Sequence, residues 1–271
     1  SFKYMIMKQV ILIFICMLVQ SVGSLCAQAE KDSVRVLYIG NSYTYYHDLP
    51  LMVQKIARNI AVDHRMNIAW QAYTPGGCTF KKHLQRKEEQ EAIRKGNWDY
   101  VILQEQSAAP AKPTAIVQRE TYSYARQLDS LVHVYNPQAH VIFYMTWGHK
   151  DGCQEPHEAY PLIDTYEGMQ DRLITSYLEM AYQNDAWCAP VGMAWKRVRA
   201  ERPYQSLYWP DGSHPSVLGT YLAANVIFST LFQRHYQTTY TADLDAELAE
   251  YIQQVAQQTV LDNRRLLNLP Q

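Results

Sequence analysis

Short runs of β-branched and aromatic residues alternate along the chain with longer stretches whose apolar positions recur at helical spacing. The runs predict five strands, at Val34–Ile39, Asn67–Tyr73, Tyr100–Leu103, Val141–Met145 and Ala186–Pro190. Between and after them the three-to-four-residue period predicts helices over Leu51–Ala61, Phe80–Lys95, Ala115–Tyr135, Ile163–Gln183, Met193–Glu201, Val217–Phe232 and Ala242–Asp262. Strand and helix alternating through the fifth strand is the pattern of βαβ units, hence of an α/β domain with a parallel sheet covered by helices on both faces. No repeat or low-complexity linker interrupts it, so residues 30–271 read as one domain.

The first residues follow another rule. Lys8 precedes an unbroken apolar stretch from Val10 to Val19, and Ala27-Gln28-Ala29 supplies small residues for cleavage. Residues 1–29 are therefore expected to be a cleaved signal peptide, and the product periplasmic or secreted. The stretch is too short for a membrane span, which needs about twenty residues. No later segment qualifies, so no membrane span is expected in the mature chain. Leu25 before Cys26 suits lipidation poorly. Export would leave Cys78, Cys153 and Cys188 in an oxidising compartment, with their pairing open.

The full chain has 271 residues and balances 25 basic side chains against 26 acidic ones. It is long enough to bury a sizeable core and lacks the basic excess that grips a phosphate backbone, so nucleic acid is not an expected partner. In an open parallel sheet the ligand crevice lies beyond the carboxyl ends of the strands, which directs attention to the residues just after each one.

Gly40-Asn41-Ser42 follows the first strand. Glycine permits a sharp exit there, and the serine hydroxyl and N–H can both reach the crevice. Far downstream, Asp211-Gly212-Ser213-His214-Pro215 precedes an apolar helix. A carboxylate three residues before a histidine can accept from Nδ1–H and leave Nε2 outward as a base, which a serine nucleophile requires. Each motif alone is also an ordinary turn or cap. Pro75-Gly76-Gly77-Cys78-Thr79 after the second strand and Gln104-Glu105-Gln106-Ser107 after the third complete the set.

Together, and in this order, the four motifs resemble those of the SGNH/GDSL hydrolase superfamily, most closely a branch of exported bacterial proteins labelled as a domain of unknown function. The resemblance runs from Val34 to about Leu231. It implies a flavodoxin-like three-layer α/β/α sandwich and a serine esterase with Ser42 as nucleophile, His214 as general base and acid, and Asp211 as its orienter. It also implies an oxyanion hole formed by Ser42, Gly77 and Gln106, with Gly76 and Gln104 as the competing positions. Asn41, where the family has aspartate, and Gln104 are expected near the substrate, as are Trp147 and His149.

His149, Asp151, Cys153, Glu155 and His157 cluster after the fourth strand, but their spacing fits no zinc pattern, and this chemistry calls for neither metal nor cofactor. Several of the 21 tyrosines and 6 tryptophans fall in crevice loops, namely Tyr43, Tyr45, Tyr46, Tyr73, Trp147, Tyr208 and Trp209. Such rings suit stacking on sugars, or simply half-exposed packing. The expected substrate is a small-molecule or polysaccharide ester, with acetyl on carbohydrate foremost. A lipid or thioester acyl hydrolase, or a glycan-binding module without catalysis, are the alternatives.

Overall fold

The computed structural model describes residues 33–60, 66–153 and 160–271. Five strands, β1 (Ser33–Ile39), β2 (Asn67–Tyr73), β3 (Tyr100–Leu103), β4 (His140–Tyr144) and β5 (Trp187–Ala189), form one sheet in the order β2-β1-β3-β4-β5. Every pair is parallel. The register sets Ile39 beside Tyr73 and Leu103, so the residues following β1, β2 and β3 emerge at one edge.

The helices are α1 (Ser42–Tyr45), α2 (Leu49–Arg58), α3 (Phe80–His83), α4 (Lys87–Arg94), α5 (Ser123–Tyr135), α6 (Tyr166–Gln183), α7 (Val191–Glu201), α8 (Val217–Phe232) and α9 (Ala246–Leu261), with a further short helical turn at Thr114–Val117. One layer packs α8 against α2, α7 and α9; the other brings together α3, α4, α5 and α6. The sequence expectation of an α/β/α sandwich on a five-stranded parallel sheet is met.

The centre of the first layer is α8, buried continuously from Leu218 to Leu231. A helix apolar all round must be covered all round. Two of its polar residues bond to their own backbone, Asn225 Nδ2 donating to the Tyr221 carbonyl and Ser229 Oγ to the Asn225 carbonyl, both at 2.8 Å. No helix among the described residues is long and apolar enough to cross a membrane.

The expected helix over Phe80–Lys95 breaks at residues 84–86 into α3 and α4. A polar cluster on the buried Glu89 carboxylate spans the break: His83 Nδ1, also buried, lies 2.5 Å and the exposed Arg86 Nε 2.6 Å from it. Glu89 can reach both partners only because the chain bends between them. The stretch over Ala115–Tyr135 contains a π-helical segment, Gln118–Tyr122, before α5. The last helix starts at Ala246 rather than Ala242, because Ala242 and Asp243 adopt positive φ and Asp245 caps the new start. Residues 1–29, Ala61, Glu155 and His157 lie outside the described residues.

Candidate active site

The exit from β1 is closed tightly. A Cβ on Gly40 would stand 2.5 Å from Thr44 Oγ1 and 2.8 Å from Gln104 Oε1, so only glycine fits. Asn41 then caps α1, its Oδ1 accepting from the Tyr43 N–H at 3.2 Å. This leaves Ser42 as the first residue of the helix, with a backbone N–H that takes no acceptor among the described residues.

Asp211 shapes the second part. One carboxylate oxygen accepts from the Ser213 and His214 N–H groups at 3.0 and 2.9 Å, while the other lies 2.6 Å from His214 Nδ1. The turn that reads as a local Asx motif is the same turn that orients the imidazole. Because carboxylate oxygen only accepts, Nδ1 carries the proton and Nε2 is left as an acceptor. Ser42 Oγ lies 2.8 Å from that Nε2, although 172 residues separate the two. Partial desolvation pushes the Asp211 carboxyl up, but the bonds from Ser213 and His214 outweigh it and hold it below its ordinary value. The site is open to solvent, the His214 side chain being 27% and that of Asp211 42% exposed.

The loops after β2 and β3 flank this pair. Gly77 adopts a φ of +61°, in the left-handed region, and Thr79 caps α3. Gln106 is half-buried: its Oε1 accepts from the Ala108 and Ala109 N–H groups, both at 3.0 Å, and its Nε2 donates to Ser107 Oγ at 3.1 Å. That leaves its amide held by three contacts with one N–H remaining. His149 is half-buried, with Nε2 3.3 Å from Ser107 Oγ, and burial lowers its pKa.

Three expected substrate contacts are corrected. Asn41 and Gln104 are buried, at 2% and 0% exposure, and both amides are saturated internally. Asn41 Nδ2 donates to the Cys78 and Glu105 carbonyls, and Gln104 Nε2 donates to Asn41 Oδ1 and the Glu105 carbonyl. Gln104 Oε1 accepts from the Asn41 N–H and Thr44 Oγ1. These side chains lash the three strand-end loops together behind the serine. Trp147 is fully buried and stacks between Tyr43 and Trp195, at 4.5 and 4.0 Å between ring centroids. Its indole N–H donates to the Ser213 carbonyl, so it props the histidine turn from beneath.

Sequence reasoning passed over Glu105 and the stacking of Tyr46. The Glu105 carboxyl is buried; Oε1 accepts from the Phe80 and Gln106 N–H groups at 3.1 and 2.7 Å, and Oε2 has no hydrogen-bond partner among the described residues. Desolvation pushes its pKa up to about 7 against the pull of those two bonds. The Tyr46 ring lies 4.3 Å from the His214 ring at an interplanar angle of 15°. A carboxylate between two glutamines after a strand was a visible signal for the first; nothing in the sequence marks the second. No disulfide joins Cys78, Cys153 and Cys188 to one another.

A parallel sheet in the order 2-1-3-4-5, carrying a serine at the first strand end beside an imidazole steadied by a carboxylate, defines a hydrolase fold of the SGNH type. The fold is that of the SGNH/GDSL hydrolases. The chain is similar to a candidate SGNH hydrolase from Slackia heliotrinireducens, with 25% identity and a TM-score of 0.58 over 73% of this chain and 99% of that one. It shares the fold of a DUF4886 family protein from Bacteroides uniformis (18% identity, TM-score 0.62, 85% and 95% coverage). The same holds for a catalytic mutant of Axe2, an acetylxylan esterase from Geobacillus stearothermophilus (16% identity, TM-score 0.52, 72% and 92% coverage). No family model and no curated protein matches the sequence.

Proposed function

We infer that this chain is an exported serine esterase that removes small acyl groups, acetyl foremost, from carbohydrate. The observation that carries the reading is the continuous line of Ser42 Oγ, His214 and Asp211, with separations of 2.8 and 2.6 Å. Ser42 Oγ attacks the ester carbonyl as its proton passes to His214 Nε2, and the imidazolium formed is steadied by Asp211. The carbonyl oxygen becomes an oxyanion, which the N–H groups of Ser42 and Gly77 and the remaining Gln106 amide proton would receive. Collapse expels the alcohol, which takes the proton back from Nε2. Water, activated by the same nitrogen, then releases the acid and restores the serine.

Gln106 is preferred to Gln104 as a donor because it keeps an unused N–H, whereas Gln104 is buried and saturated. Small acyl groups on a bulky polar alcohol suit a site whose histidine and aspartate stand partly in solvent. The likeness in fold to an acetylxylan esterase points the same way, and the signal-like segment before Glu30 supports export. Hydrolysis of p-nitrophenyl acetate by the protein and by Ser42→Ala tests the reading. Loss in the variant is expected, and equal turnover by both contradicts it. Turnover that rises from acetate to octanoate would favour the lipid alternative instead.

A further inference from the structure

We propose that Tyr45, Tyr46, His47 and Trp209 form a stacking subsite for the sugar ring that leaves as the alcohol. The inference rests on the esterase reading, because it starts from where the proton goes. The departing oxygen must take its proton from His214 Nε2, so the alcohol portion of the ester lies against His214.

Four rings follow one another outward from His214. Tyr46 stacks on His214 at 4.3 Å, Tyr45 lies 5.4 Å from Tyr46, His47 5.9 Å from Tyr46, and Trp209 6.1 Å from His47. The arc ends in solvent: Tyr45 and Trp209 are each 48% exposed, among the few large hydrophobic side chains left uncovered. Trp209 is tied to the histidine turn, its N–H donating to the His214 carbonyl at 2.7 Å.

The backbone beneath the arc is strained. His47 and Asp48 have φ of 51° and 53°, two consecutive non-glycine residues in the left-handed region. Each costs about 1 to 2 kcal/mol. The conformation is held by the His47 Nε2–H donating to the Pro215 carbonyl at 3.1 Å and by the Asp48 carboxylate accepting from the Leu51 N–H at 3.4 Å. Strain sustained beside a reactive serine, where an unstrained turn would bring the aromatic side chains elsewhere, marks a constraint on where these rings stand.

The occupant follows from the composition of the arc. An alkyl chain laid along these rings would strip water from the phenol hydroxyls and the imidazole. A pyranose ring offers an apolar C–H face to the ring planes and hydroxyls to their polar edges.

The Ser42→Ala protein, whose surface is intact, should bind at least one of xylohexaose, cellohexaose and mannohexaose in calorimetric titration. Adding Trp209→Ala or Tyr45→Ala should weaken that binding at least tenfold. With Ser42 present, Trp209→Ala should raise KM for acetylated xylo-oligosaccharides at least tenfold more than for vinyl acetate, which has no ring to stack. Binding of none of the three, unchanged affinity in the aromatic variants, or equal losses on both esters would overturn the subsite. Full esterase activity in Ser42→Ala would instead overturn the nucleophile assignment, while the titration still decides the subsite.

Discussion

Replacing Glu105 with glutamine is expected to remove a loss of stability that develops between pH 4.5 and about 7. The carboxyl is raised from an ordinary 4.5 to about 7 because it is buried, and the hydrogen bonds from Gln106 and Phe80 only partly offset that. In the unfolded chain it ionises near 4.5 without cost. The folded state thus binds the extra proton over this interval, and stability falls as pH rises through it. Below pH 4.5 the group costs nothing; above about 7 the full penalty applies. At 1.36 kcal/mol for each tenfold difference the penalty is about 3 kcal/mol. For a domain of this size that corresponds to roughly 6 to 12 °C in Tm.

Glutamine keeps an oxygen to accept from Phe80 and Gln106 and can never ionise. Urea denaturation of the protein and of Glu105→Gln from pH 4 to 8.5 should therefore give curves that meet near pH 4 and diverge progressively from pH 4.5 to about 7, the variant being the more stable by about 3 kcal/mol at pH 8. Parallel curves, or a variant less stable at every pH, would refute the reasoning.

Three further outcomes follow from the site. Asn41→Ala deletes a buried amide making four hydrogen bonds and should cost about 3 kcal/mol in urea denaturation, because groups such as the Cys78 carbonyl lose a partner. Gly77→Ala meets no atom within 4 Å, so its cost is conformational, about 1 to 2 kcal/mol, and the test of an oxyanion role is whether kcat falls by much more than that stability loss implies. Tyr46→Leu should lower kcat on p-nitrophenyl acetate about two- to sixfold by removing the ring face that stabilises the imidazolium, while Tyr46→Phe retains it.

The central strands were legible because parallel strands buried on both faces read as continuous apolar runs, as Tyr100–Leu103 does; the edge strand β2, only partly buried, was legible from its β-branched and aromatic residues and its flanking turns. Helix starts were less so: the positive φ of Ala242 and Asp243 follows from local backbone conformation that no apolar period records. Within the site, Ser42, Asp211 and His214 could be singled out because each sits at a turn with a chemical reason for its identity. The inward roles of Asn41, Gln104 and Trp147 could not, because position after a strand does not reveal which way a side chain turns. An amide at a strand end serves equally to hold a ligand or to hold a loop; the two neighbouring strand ends decide it here, by presenting Thr44, Cys78 and Glu105 to it. Tyr46 reaches His214 across 168 residues, a pairing that only the folded chain creates.

The central claim, a serine made nucleophilic by the imidazole 2.8 Å away, is tested most directly by covalent capture. After treatment with a fluorophosphonate, intact-mass and peptide-mapping spectrometry should find one adduct, on Ser42, forming at least a thousandfold more slowly in His214→Ala. An adduct on another residue, or one forming on Ser42 at the same rate without His214, would contradict it.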